Sequence, residues 1–189
     1  MMRFENKTIL LGVMGSIAAF RAADIALALI KEGATVHCAM TQNATQFITP
    51  LTMQTLSRNP VQVGSIECGK DWKPQHIHLA DTMDAMLVAP ATAHGLGCFA
   101  NGLAPDVLGS IYLATRAPVL LAPAMNGNML SHAATQANIE RLKERGHIFI
   151  SPERGVLACG YEGEGKMASL ERILDELSGV FVGQVKEKN

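Results

Sequence analysis

Three loops in this sequence carry residue types suited to holding an anion, and each follows a short apolar run. The first is Gly12-Val-Met-Gly15-Ser16-Ile17. A glycine–serine turn that opens a helix offers unpaired backbone N–H groups, a hydroxyl and the positive end of the helix dipole. The second is Pro90-Ala91-Thr92-Ala93, and the third is Pro123-Ala-Met125-Asn126-Gly-Asn-Met129. Singly, each also fits an ordinary strand-to-helix turn; three in succession are hard to explain by packing alone. Gly12-x-x-Gly15 departs from the Gly-x-Gly-x-x-Gly pattern of dinucleotide sites. The following apolar run ends in Met40-Thr41, where a nicotinamide-binding chain would place an acidic residue for the adenosine ribose. A hydroxyl at Thr41 suits a phosphate or a ribityl chain. The loops therefore favour a mononucleotide over NAD.

Strands must position these loops. Thr8 to Met14 is a continuous apolar run, the pattern of a strand covered on both faces. Gly15-Ser16 then supplies a turn and an N-cap, and Ile17 to Glu32 reads as a helix ended by Gly33. Thr35 to Met40, Met86 to Ala89 and Val119 to Ala122 repeat the strand pattern, and His147 to Ile150 reads as the last strand. Helical periods occupy Ala133 to Glu144 and Leu170 to Gly179. This alternation predicts an α/β fold: a doubly wound, mainly parallel sheet flanked by helices, in a single domain spanning residues 1–189. Ligands of such sheets bind beyond the carboxyl ends of the strands, where the strand order reverses.

Composition narrows the partners. A hydrophobic share of 48% fills the core of one domain. A charged share of 17% is low for a soluble domain, which predicts a buried interface between subunits. The formal net charge of -1, with no run of Lys or Arg, gives no electrostatic footprint for nucleic acid or an anionic membrane. The first residues are too charged for a signal peptide, and no apolar stretch approaches the ~20 residues of a spanning helix, so a cytoplasmic location is expected. Cys38, Cys68, Cys98 and Cys159 form no Cys-x-x-Cys pair, so free thiols and no metal site are expected.

Longer motifs add a resemblance. Gly15-Ser-Ile-Ala-Ala19, Pro90-Ala-Thr-Ala93, Asn101-Gly-Leu-Ala-x-Asp106, Pro123-Ala-Met-Asn126-x-x-Met129 and Ala158-Cys-Gly160-x-x-Gly163-x-Gly165-Lys-Met167 occur in that order. The chain thereby resembles the homo-oligomeric flavin-containing cysteine decarboxylases over about residues 7 to 180. The resemblance implies a Rossmann-like flavoprotein fold and FMN held by Gly15, Ser16, Ile17, Thr41, Pro90, Ala91, Thr92 and Asp106. It also implies decarboxylation of 4'-phosphopantothenoylcysteine in coenzyme A biosynthesis. Direct loss of carbon dioxide would leave an unstabilised carbanion. The family first oxidises the thiol-bearing carbon to a thioaldehyde, then re-reduces the ene-thiol, so no external electron donor is consumed.

Residue roles follow from the same resemblance. Gln75-His-Ile-His-Leu79 matches the family's His-Ile-x-Leu pattern and makes His76 the base, since an imidazole titrates near neutral pH. On a helix His78 lies roughly 200° around from His76 and cannot share that role. Asn126 holds the substrate carboxylate, with Met125, Ala158 and Gly160 beside the substrate, and Lys166 reaches the substrate phosphate. Cys159 supplies the last proton from a flap of about residues 153–168, made mobile by glycines at 155, 160, 163 and 165. Trimers or dodecamers with flavin between subunits are implied, and the upstream synthetase is expected to be a separate protein. His94 stands where the family often has Asn, Leu130 where an aromatic is usual, and Lys166 where Arg is common; no role is assigned to His94. Three rival readings share the fold: a peptidyl-cysteine decarboxylase, a flavin-binding regulatory subunit without catalysis, and a flavin prenyltransferase.

Overall fold

Strand β1 (Thr8–Val13) is apolar along its whole length because both of its faces are covered. Ile9, Leu11 and Val13 point to one core with Ile25 and Leu29 of helix α1 (Ala22–Lys31); Leu10 and Met14 point to a second core with Leu108 and Ile111 of α5 (Val107–Ala114). The computed structural model describes residues 2–65, 74–156, 160 and 162–186.

The other strands of the main sheet are β2 (Thr35–Met40), β3 (Val61–Val63), β4 (Ala85–Ala91), β5 (Val119–Pro123) and β6 (Ile148–Phe149). All pair in parallel, in the order β3-β2-β1-β4-β5-β6. The order reverses between β1 and β4, which opens a crevice beyond their carboxyl ends. β4 slips register against β5 between Val88 and Ala91, so Ala89 packs with the first core and Ala91 with the second. The bridging helices are α2 (Pro50–Ser57), α3 (Gln75–Thr82), α4 (Ala93–Ala100), α6 (Gly127–Ser131), α7 (Ala133–Glu144) and α8 (Leu170–Lys186). The doubly wound α/β expectation holds.

Three local expectations change. The helix expected from Ile17 begins as a 3-10 turn, Ile17–Arg21, closed by Ala19 N–H donating to Ser16 O at 2.9 Å, and α1 follows it. The helix expected to stop at Gly179 continues to Lys186. The segment expected to be a glycine-rich loop contains two antiparallel strands, β7 (Glu153–Val156) and β8 (Glu162–Lys166), in which Gly155 and Gly163 face each other. Cross-strand hydrogen bonds order these glycines despite their backbone freedom.

Candidate active site

Beyond the carboxyl ends of β1, β2, β4 and β5 lies one cavity of about 830 Å³. Four hydroxyl or carboxylate side chains that line it are N-caps. Ser16 Oγ accepts from Ala18 N–H at 3.4 Å, Thr41 Oγ1 from Ala44 N–H at 3.2 Å, Thr92 Oγ1 from Gly95 N–H at 3.1 Å, and Asp106 Oδ1 from Gly109 N–H at 2.9 Å. Each closes the first turn of the helix that follows. Together they aim four helix starts, with their positive partial charge, at a single space. A hydroxyl that accepts from the backbone still has its own proton to donate, so Ser16, Thr41 and Thr92 can serve the helix and a bound oxygen together.

Close backbone approach brings the loops together. A Cβ on Gly15 would stand 2.5 Å from Asn43 Cβ, so only glycine lets the loop after β1 touch the loop after β2. On the far side, the Met125–Asn126 turn is held by β8: Met125 N–H donates to Gly165 O at 3.1 Å. Gly165 has φ +122°, and a Cβ there would overlap Met125 O, so the contact requires glycine twice over. Asn126 caps the short α6, its Oδ1 accepting from Asn128 N–H at 2.9 Å, and lines the cavity with Met125 and Lys166.

The site residues named from sequence divide clearly. Gly15, Ser16, Ile17, Thr41, Thr92, Asp106, Met125, Asn126 and Lys166 line the cavity. Pro90 and Ala91 do not. They complete buried strand β4, where Pro90 O accepts from Met14 N–H at 3.3 Å and Ala91 O from Ala124 N–H at 3.0 Å, so they brace the loops from behind. Gly160 is exposed, with φ +90°, and is not among the lining residues. Ala158 and Cys159 lie outside the described residues.

His76 is half-buried on α3 and is not among the residues that line the cavity. The helix includes both His76 and His78, so the roughly 200° between them stands. His78 interacts instead with His37 of β2, whose imidazole is lowered by burial first and by His78 second.

Sequence reading passed over several cavity residues. Arg21, Asn43 and Phe20 line it, each within a few positions of a loop already singled out. His94 and Cys98, one helical turn apart on α4, also line it, with Nε2 and Sγ 3.7 Å apart. Burial, and then Asp106, push the Cys98 thiol above its ordinary value, so it is a neutral thiol at neutral pH. Helical spacing of i and i+4 was the available clue.

Known proteins are similar to this chain in sequence and in fold. The probable phosphopantothenoylcysteine decarboxylase of Streptococcus mutans is 43% identical over 174 residues, 91% of this chain and 97% of that protein. The coenzyme A biosynthesis bifunctional protein CoaBC of Bacillus subtilis is 43% identical over 170 residues, 90% of this chain and 42% of that protein. The chain thus spans less than half the length of the bifunctional relatives it matches. Among solved structures, a PPC decarboxylase mutant complexed with pantothenoylaminoethenethiol superimposes with a TM-score of 0.80 at 28% identity, covering 90% of this chain and 96% of that one. The FMN-dependent cysteine decarboxylase SpaF superimposes with a TM-score of 0.83 at 26% identity, covering 95% and 98%. A family model described as Flavoprotein matches residues 2–182, nearly the whole chain, and with that match the chain belongs to the Flavoprotein family.

Proposed function

We propose that this chain binds FMN and decarboxylates 4'-phosphopantothenoylcysteine to 4'-phosphopantetheine, a step of coenzyme A biosynthesis. The observation that carries the reading is the convergence of four capped helix starts and Asn126 on one cavity. The donor set fits a mononucleotide: hydroxyls and backbone N–H groups for a phosphate and a polyol, beside an apolar wall that includes Phe20, Leu108 and Met125. About 830 Å³ is within the several hundred Å³ of ordinary small-molecule sites. Ser16, Thr41 and Thr92 hold the cofactor's polar atoms, while Gly15 and Ile17 shape its contact surface. Bound FMN supplies a reversible two-electron acceptor, which no side chain can provide.

The chain's own residues supply binding and proton transfer. Asn126 holds the carboxylate through an amide donor, which adds no charge to oppose departure of carbon dioxide. Lys166 contacts the substrate phosphate as a point charge. His76 takes the proton of the substrate thiol. Cys159 protonates the carbon left after carbon dioxide departs, from a lid of about residues 153–168 closed over the substrate.

His76 reaches the cavity from a neighbouring subunit. Supporting this, the rim carries apolar side chains exposed in one chain: Ile17 at 56%, Phe20 at 58%, Met129 at 49% and Val156 at 74%. Exposed apolar side chains around one cavity are the kind of surface an oligomer buries. A homo-oligomer, a trimer or an assembly of trimers, completes the site. A cytoplasmic setting fits, because a thiol substrate persists in a reducing compartment.

Purified protein is expected to be yellow and to release FMN on denaturation. Incubation with 4'-phosphopantothenoylcysteine is expected to give a product lighter by one carbon dioxide, and Cys159→Ser to accumulate the ene-thiol by mass. A colourless preparation that refuses added FMN, or turnover confined to peptides ending in cysteine, would overturn the assignment.

A further inference from the structure

The cavity holds a cation that the chemistry above does not use. Arg21 ends the 3-10 turn that begins after Ser16, and its side chain is half-buried at the cavity wall. Its Nη1 donates to two successive backbone carbonyls, Met167 O at 3.0 Å and Ala168 O at 3.1 Å. Both acceptor residues are buried, and they lie directly after β8. One planar guanidinium nitrogen with two hydrogens can bridge adjacent carbonyls in this way.

The acceptor segment is secured from its other side. Glu153, at the start of β7, accepts from Ser169 N–H at 2.7 Å. That hydrogen bond is the first cause holding its carboxyl below the ordinary 4.5, and the nearby charges of Lys166 and Arg21 pull in the same direction. Upstream on β8, Gly165 is pressed onto the Met125–Asn126 turn. A single span of chain, 165–168, therefore touches both Asn126's turn and Arg21, and Lys166 stands in its middle.

We infer that Arg21 is the positioning residue of the β7–β8 hairpin: its two hydrogen bonds tie the strand bearing Lys166 to the turn that begins at Ser16. The loop that takes the cofactor and the strand that takes the substrate thereby move as one unit. Without Arg21 the buried carbonyls of Met167 and Ala168 lose their shared donor, and β8 can lift from the cavity while the cofactor loop stays in place. Arg21 does not touch the reacting atoms; it acts through Lys166 and through the seat of Asn126.

The kinetic arm of the test rests on the decarboxylase reading, and the proteolytic arm does not. Holoprotein, Arg21→Ala and Arg21→Lys are digested with limiting trypsin and the fragments mapped by mass. The Lys166–Met167 bond lies beside Arg21's acceptors, and the Arg58–Asn59 bond after α2 is the internal control. Arg21→Ala is expected to be cut after Lys166 about tenfold faster, with cutting after Arg58 unchanged and FMN retained stoichiometrically. Its KM for 4'-phosphopantothenoylcysteine is expected to rise about tenfold while kcat changes less than about threefold. Arg21→Lys, with one ammonium to share between the carbonyls, is expected to fall between, and it carries the comparison if Arg21→Ala does not fold.

Cutting after Lys166 at the parent rate overturns the inference. So does acceleration at every site alike, which is the mark of a merely structural arginine, or a loss confined to kcat. Should the parent itself show no turnover, the decarboxylase reading fails and the site-specific cutting alone decides Arg21.

Discussion

Thr92 carries two duties through one oxygen. Its Oγ1 accepts from Gly95 N–H at 3.1 Å, which caps α4, and its hydroxyl lines the cavity. Thr92→Val keeps the shape and removes both functions. It is expected to cost about 1 kcal/mol of stability through the lost cap and to weaken FMN binding, read by denaturant titration and by flavin fluorescence quenching. Thr92→Ser is expected to restore both. A stability loss with unchanged FMN affinity would show that the hydroxyl serves the helix alone. Cys38 shows the opposite case, a group with chemistry that burial silences: its thiol is pushed up to about 12 by desolvation, despite a hydrogen bond from Ser57 that opposes the shift. In the main core it is a small apolar side chain.

At the scale of elements, the hairpin β7–β8 is held by polar contacts more than by apolar burial. Glu153 anchors its base through Ser169 N–H, which favours the ionised carboxyl. A carboxyl whose folded value lies below its unfolded one adds stability that is present above the unfolded value. That stability is lost as pH falls through the folded one. Thermal midpoints of the parent and Glu153→Gln are therefore expected to differ at pH 7 and to converge as pH falls below the ordinary 4.5. A gap that persists unchanged into the acid range would remove the charge from the explanation. Screening by solvent keeps the effect small, because Glu153 is only partly buried.

At the scale of the whole molecule, the proposed roles draw on residues that one chain does not bring to one cavity. His76 is on α3, while Asn126 caps α6, and of the two only Asn126 lines the cavity. If a neighbour delivers the imidazole, two inactive variants can rescue each other. Co-expressed His76→Asn and Asn126→Ala chains are expected to recover roughly a quarter of the parent activity, since random assembly leaves that share of interfaces with both groups intact. Each variant alone is expected to retain FMN and lose turnover. Mixed assemblies with no activity would place His76 and Asn126 of the same chain in one site, and a His76→Asn variant that turns over alone would place His76 in none.

The sheet was legible because burial on two faces demands continuous apolar runs, and β1, β2, β4 and β5 each show one. The helices missed from sequence are α2, α5 and α6, all of eight residues or fewer, too short to display a period. The cavity loops were legible as well, since glycine turns and hydroxyl caps write local physics into neighbouring residues. Sequence alone therefore determined the fold class, the end of the sheet at which the cavity opens and part of its lining. Tertiary structure decided what depends on distant parts of the chain meeting. Pro90 and Ala91 brace rather than line, Arg21 finds its carbonyl partners 146 and 147 residues away, and His76 does not line the cavity of its own chain. Such contacts have no local signature, because the energy that selects them comes from packing elements whose sequence separation no pattern encodes.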